Sequence, residues 1–429
     1  MLIQFTVDNF RSIKDSVTLS LVSGANNNMN TFSAKAHSLL SSAVIYGANA
    51  SGKSNVLKAF AFMKSMVQNS KKVFQSTDTL SHEPFRLSTE TESASSSFEV
   101  VFLTSISGKQ LKFRYGFEAD DTNIYSEWLF ADEKGKESKL FFREVEKKEF
   151  YVNPDKFKEG GKGLKDKVLP NSLFLWKCDQ DGGEISGAIL EWFKGVNILN
   201  GMMPSGYMAY TLHQMSRADF RSEIIKLVSV ADLGIQDVLI EENEIPSVEM
   251  ERIAFPKEIL EQIRSAKSPL MEVGVKALHN KYDENDKIVG TEKFDLENDE
   301  SEGTKKYFSL SAPFIDTLKN GKILLVDELD ASLHPMLTIS LISMFNNPKI
   351  NTKNAQLIFA THDTNLLNQK LFHKSQIWFT EKDVSGSTRL NSLVEYKNVR
   401  ATDNIEKHYI QGKYGAIPYI GTFAYEEQE

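Results

Sequence analysis

Apolar and polar positions alternate with period two over Leu2–Val7 and again over Ser16–Val22, which predicts two strands joined by the turn Asp8–Asp15. A loop at Asn26-Asn27-Asn28 follows. The unbroken apolar run Ala43-Val44-Ile45-Tyr46 then reads as a strand buried on both faces. Helical spacing takes over from Asn55 to about Ser70, and Ser93–Ser97 forms a linker-like break. From Phe98 to Val152 the period returns to two. Phe98–Leu103, Leu111–Phe117, Ile124–Phe130, Lys139–Arg143 and Glu149–Val152 predict an antiparallel meander.

From Gly187 to His279 the spacing is mainly helical, as in Ile189–Phe193, Ile224–Val228 and Ile259–Ile263, with breaks at Gly201–Gly206 and Pro246. A short strand is predicted near Val238–Glu241, and the Trp192-Phe193 pair is assigned to helix core. Beyond it come a charged hairpin at Lys281–Glu297, a helix from Gly303 to Leu318 and a strand at Lys322–Val326. A helix at Pro335–Met344, a strand at Ala355–Ala360 and short α/β elements complete the chain. The expected division is an N-terminal lobe at 1–186, a mostly helical insertion at 187–280 and a C-terminal lobe at 281–429.

With 429 residues the chain is long enough for two or three domains, and 41% hydrophobic with 25% charged residues is an ordinary globular balance. A formal net charge of −8 argues against a broadly basic nucleic-acid coat. The single cysteine, Cys178, cannot form an internal disulfide, which fits a reducing compartment. Apolar runs such as Ile323–Val326 are far too short to span a bilayer, and the start lacks a signal-peptide pattern. A cytoplasmic location without membrane partners is expected. The Gly- and Lys-rich run Lys158–Lys167 is read as solvated surface.

The chemistry begins at Gly47-Ala48-Asn49-Ala50-Ser51-Gly52-Lys53-Ser54, between the buried strand and the first long helix. The two glycines let the backbone curl so that successive N–H groups point at phosphate oxygens at the positive end of the helix. Lys53 is placed to reach the β- and γ-phosphates, the Ser54 hydroxyl to ligate Mg²⁺, and Asn55 opens the helix. The pattern predicts binding of a nucleoside triphosphate. Ile323-Leu324-Leu325-Val326-Asp327-Glu328 supplies the second half: a buried strand ending in Asp327 offers a carboxylate to the metal. Glu328 is then placed to orient or deprotonate the attacking water. Another strand, Leu357–Ala360, ends in Thr361-His362-Asp363, where His362 is a candidate γ-phosphate sensor.

Taken together, GANASGKSN, ILLVDELDASLHP, FATHD and the opening FTVDNFRSIKD resemble the ABC-class ATPases of the SMC and RecF type. The resemblance implies an α/β, ABC-type P-loop head with an antiparallel β subdomain, using ATP and Mg²⁺. It implies catalytic roles for Glu328 and His362, a D-loop over Leu329–Leu333 with Asp330 at the nucleotide, and metal binding by Ser54 and Asp327. It also implies a signature loop at Glu300–Thr304, which departs from the usual Leu-Ser-Gly-Gly-Gln but keeps Ser301 and Gly303 to contact the nucleotide of an opposing protomer. Gln110 is a weak candidate for the Q-loop. Nearer still, the Glu300–Lys305 variant, Ala231–Ile235 and the ending Tyr409–Pro418 look like the RloA-type ATP-binding proteins, which are often encoded with restriction or anti-phage defence genes and beside a separate effector.

The expected activity is ATP hydrolysis at a homodimer or higher homo-oligomer interface, working as a switch. OLD-type relatives carry a nuclease domain after the ATPase; after His362 no Glu plus Asp-x-Asp cluster appears, so a nuclease effector would be a partner chain. Two alternatives stand beside this reading: a RecF-like ATPase with nucleic acid as partner, and an ATP-bound scaffold with little turnover.

Overall fold

The computed structural model describes residues 1–24, 27–69, 72, 75–133, 135–161, 163–203, 205–231, 233–244, 271–367, 370–400 and 403–418. The helical pattern at Ile259–Ile263 and the break at Pro246 lie outside these residues, as do Asn26, Ser70 and Asp232. The chain forms two compact units. One holds Met1–Met202, Asp316–Ala331 and Thr338–Glu429, and the other Met203–Ile315 and Ser332–Leu337.

In the first unit a six-stranded sheet runs in the order Val196–Asn200, Ile323–Asp327, Gln356–Ala360, Ser42–Gly47, Ile377–Lys382, Thr388–Ser392. All its neighbours pair in parallel except the last two strands. The sequence explains why these strands sit inside. Ser42–Gly47 and Gln356–Ala360 are buried at every position, as parallel strands covered on both faces must be. The helix Lys53–Val67 buries Val56, Leu57, Phe60, Met63 and Val67, its one apolar stripe.

The period-two segments form the predicted meander. Ser96–Ile106, Lys109–Ala119, Ile124–Asp132, Glu137–Glu144 and Glu149–Val152 pair antiparallel in sequence order. Leu2–Asp8 and Val17–Ser20 extend this sheet to seven strands. Phe5, Phe60, Phe98, Phe102 and Phe117 fill one continuous core with it. Trp192 lies stacked on Phe102 with ring centroids 4.1 Å apart, which places the Trp192-Phe193 pair in that core. Gln356 ties the N-terminal strand to the parallel sheet: its buried amide accepts from Leu2 N at 2.6 Å and donates to Leu2 O and Leu40 O.

A buried ion pair closes the far side of the meander. Glu127 is fully buried and lies 3.3 Å from Arg143; it accepts from Tyr115 Oη and from the backbone N–H groups of Phe174 and Leu175. Burial raises the Glu127 pKa, against the pull of Arg143 and these donors.

The second unit carries a three-stranded antiparallel sheet of Ile235–Glu244, Met271–Tyr282 and Ile288–Asp295. The predicted strand at Val238–Glu241 and the charged hairpin fall within it. The helices Ser205–Met215 and Ala218–Ser229 belong to the same unit, and Arg221 holds Asp237 at 2.7 Å. Among the described residues no helix is long and apolar enough to cross a membrane.

Candidate functional site

Parallel pairing aligns the carboxyl ends of the strands, so Gly47, Asp327, Ala360 and Lys382 end at one edge of the sheet. The crevice outside such strand ends is where open α/β sheets take their ligands. A cavity of about 620 Å³ lies there, lined by Asn49, Ala50, Ser51, Gly52, Lys53, Ser54, Asn55, Glu328, His362 and Lys382. Segments far apart in the chain therefore meet around a single cleft.

The phosphate loop needs its glycines for specific reasons. Gly52 has φ +109°, and a Cβ there would sit 2.2 Å from Thr388 Oγ1. At Gly47 a Cβ would meet Thr380 Oγ1 at 2.3 Å and Ser51 Oγ at 2.4 Å. Those hydroxyls are the braces of the loop. Ser51 Oγ and Thr380 Oγ1 are 2.7 Å apart, and Thr380 Oγ1 donates to Tyr46 O. Thr388 Oγ1 donates to Ser51 O at 2.9 Å and is bonded to Ser12 Oγ, which accepts from Asn55 Nδ2 at 2.7 Å.

Lys53 is 5% exposed and folds back on its own loop, donating to Gly47 O at 2.9 Å and Ala48 O at 3.2 Å. Burial pushes its pKa down, while Asp327, Glu328 and Asp330 push it back up. A cation kept in a desolvated loop beside three acids is the electrostatic picture of a group held for an anionic ligand.

Asp327 Oδ1 and Asp330 Oδ1 are buried and have no hydrogen-bond partner among the described residues. Orphaned buried carboxylate oxygens are the acceptors a cation satisfies. Among the described residues no group of three or more His, Cys, Asp or Glu side chains converges as a metal cage. Mg²⁺, which keeps waters and takes one or two carboxylates together with substrate phosphates, does not need one. The unpartnered Asp327 Oδ1 suits an ion of that kind.

Glu328 follows at φ 53°, in the left-handed region that costs a non-glycine residue about 1–2 kcal/mol. Gly201 holds this corner. It follows the edge strand Val196–Asn200, whose Asn200 pairs with Asp327, and its N–H donates to Asp327 O at 2.7 Å. Asp330 Oδ2 accepts from the His362 backbone N–H at 3.3 Å. Burial and then Lys53 lower the His362 pKa, and Asp330, Glu328 and Asp327 oppose them. The ring is thus held toward its neutral form.

Ser301 and Gly303 belong to the other unit. There Ser301 Oγ accepts from Thr304 N at 3.1 Å, capping the helix Glu302–Asn320. A Cβ at Gly303 would lie 2.7 Å from Ser332 O, so only glycine fits. Gln110 stands on a meander strand with its amide on Met1 Sδ at 3.8 Å, and is absent from the cavity lining. The ending Tyr409–Pro418 packs behind the phosphate-loop strand. Tyr409 and Tyr414 stack on Phe379 with centroids 5.3 Å apart, and Tyr409 lies against Tyr46.

Gly201, Lys382, Thr380, Thr388 and Ser12 escape a reading of motifs, because strand register and not local spacing brings them to the loop. Gly201 reads locally only as the start of the Gly201–Gly206 break.

A glycine-rich loop between buried strand and helix, at the carboxyl edge of a parallel sheet, defines a P-loop ATPase fold. The chain belongs to the family described as "AAA domain, putative AbiEii toxin, Type IV TA system", whose model matches residues 42–368. It is similar to the SMC head domain from Thermotoga maritima, with 13% identity, TM-score 0.40, and coverage of 91% of this chain and 98% of that one. It is also similar to the protein in "Structure of the recombination mediator protein RecF-ATPrS in RecFOR pathway", with 13% identity, TM-score 0.35, and the same coverage of 91% and 98%. No curated protein matches the sequence.

Proposed function

We propose that this protein binds and hydrolyses ATP as a conformational switch, with two copies completing each other's sites. The observation that carries the reading is the meeting of the phosphate loop with Glu328 and His362 around one cavity, with Asp327 and Asp330 acting on Lys53. In this proposal residues 47–55 cradle the triphosphate through backbone N–H groups, with Lys53 turning from its loop carbonyls to the phosphates. Ser54 and Asp327 would hold Mg²⁺, which would supply charge neutralisation at the phosphates. Glu328 orients the attacking water and accepts its proton. His362, neutral, hydrogen-bonds the terminal phosphate, and Asp330 steadies its backbone.

Ser301 and Gly303 of a second copy contact the terminal phosphate, so that ATP draws the protomers together and its hydrolysis releases them. The division into 1–186, 187–280 and 281–429, with 187–280 conferring partner choice, belongs to the same proposal. The family's description names a toxin of type IV toxin–antitoxin systems, which favours an output through a harmful effector. Together with the RloA resemblance this supports a role in anti-phage defence beside a separate effector, such as a nuclease.

Light scattering combined with an ATPase assay tests the switch. Glu328→Gln should lose turnover and accumulate as an ATP-dependent dimer, whereas Lys53→Ala should bind no nucleotide and stay in its nucleotide-free state. Wild-type turnover by Glu328→Gln would remove that carboxylate from the chemistry.

A further inference from the structure

A second cavity, of about 710 Å³, shares two lining residues with the nucleotide cavity, Asn55 and Lys382; Arg11, Ser12, Phe85 and Arg86 line it as well. Glu328 and His362 line only the first cavity. Lys382 therefore stands at the junction of the two, and in the sheet its strand lies on the other side of the phosphate-loop strand from those that lead to Glu328 and His362.

The fold fixes Lys382 in that place. It ends the strand Ile377–Lys382, which runs parallel to the phosphate-loop strand with Thr380 opposite Gly47. On its other side it pairs with Thr388, the residue whose hydroxyl braces Ser51 and Ser12. Neighbouring Asp383 is taken up by its own turn, accepting from Ser385 and Ser387, and by Arg389 at 3.5 Å. Among the described residues the Lys382 ammonium has no ion-pair or hydrogen-bond partner.

Charge balance gives that ammonium a task. Lys53 is buried, and Asp327, Glu328 and Asp330 already act on its charge. A polyphosphate entering the cleft needs further positive charge, and a lysine supplies it as a mobile point charge on a flexible stem. We propose that Lys382 is a second cationic ligand of the nucleotide, acting on the part of its phosphate chain remote from the terminal phosphate and so on affinity, not turnover. The proposal rests on the nucleotide reading of the same cavity.

The test is titration of a fluorescent non-hydrolysable ATP analogue and of ADP, each with Mg²⁺, into wild type, Lys382→Ala, Lys382→Arg and Lys53→Ala at low and high salt. Lys382→Ala should weaken both nucleotides equally, by about five- to tenfold for an exposed charge-assisted contact. Lys382→Arg should restore most of the affinity, and the deficit should shrink at high salt as screening grows. The thermal midpoint without nucleotide should not move. Wild-type affinity in Lys382→Ala, or a loss confined to the ATP analogue, overturns the proposal while Lys53→Ala still confirms a nucleotide site. If wild type itself binds neither nucleotide, the nucleotide reading fails and this proposal with it.

Discussion

Gly201→Ala tests whether the corner at Asp327-Glu328 is sterically set. A methyl at Gly201 would lie 2.2 Å from Glu328 O, 2.7 Å from Asp327 O and 2.8 Å from Glu328 C. These are backbone atoms and cannot swing aside as a side-chain tip would. The corner is already committed, because Glu328 sits at φ 53° and the Gly201 N–H is spent on Asp327 O. Relief must come from moving the strand end or the corner itself, at a cost of about 1–3 kcal/mol for an overpacked site. A displacement of about 1 Å at a catalytic carboxylate lowers turnover on the order of a hundredfold. The phosphate loop is braced separately by Thr380 and Thr388, so nucleotide affinity should change far less than turnover. The assay is ATP turnover and ATP-analogue affinity measured side by side, with Gly206→Ala as control. A Cβ at Gly206 meets nothing within 4 Å, and alanine there, in the helix Ser205–Met215, should be neutral or stabilising by up to about 1 kcal/mol. Turnover of Gly201→Ala equal to wild type would refute the argument.

Gly52→Ala should do the reverse, striking binding first. Its left-handed φ of +109° and the 2.2 Å approach to Thr388 Oγ1 together cost about 2–5 kcal/mol in the loop. The added substitution Thr388→Ala should recover only the contact part of that cost, as read by nucleotide titration of the two single variants and the double variant. Arg143→Met should destabilise the fold by about 3–5 kcal/mol near neutral pH, since it strands the buried Glu127 without its cation. The sign with pH follows from the raised Glu127 pKa: the folded state holds that proton more tightly than the unfolded one, so stability is greatest below the unfolded carboxyl pKa and is lost as pH rises through the folded one. Urea unfolding at acid and neutral pH should therefore show a smaller deficit at the acid end; a constant deficit would contradict the reasoning.

Local chemistry announces itself in this chain. The phosphate loop, the Asp327-Glu328 strand end and the period-two meander were all set out from neighbouring residues, and the observed elements Lys53–Val67, Ile323–Asp327 and Ser96–Val152 lie where those patterns put them. What stayed hidden depends on register between distant strands. Val196–Asn200 is a five-residue strand, Val-Asn-Ile-Leu-Asn, whose polar residues do not alternate and which has helical patterns on both sides. Nothing in it predicts that Asn200 will pair with Asp327 and deliver Gly201 to the Asp327-Glu328 corner. Thr380 and Thr388 look like ordinary strand threonines until the sheet order sets them against the phosphate loop. The Ser301 hydroxyl, read as a phosphate contact, serves in this chain as the cap of its own helix, so its proposed role in a second copy's site requires it to serve both.

The central claim is that residues 47–55 and the Asp327-Glu328 strand end hold one magnesium-bound triphosphate. The most direct measurement is a structure of Glu328→Gln determined with ATP and Mg²⁺. The account predicts the triphosphate wrapped by the loop, Lys53 released from Gly47 O, and the metal between Ser54 and Asp327. Nucleotide bound elsewhere, or Asp327 still without a partner while the loop is filled, would contradict it.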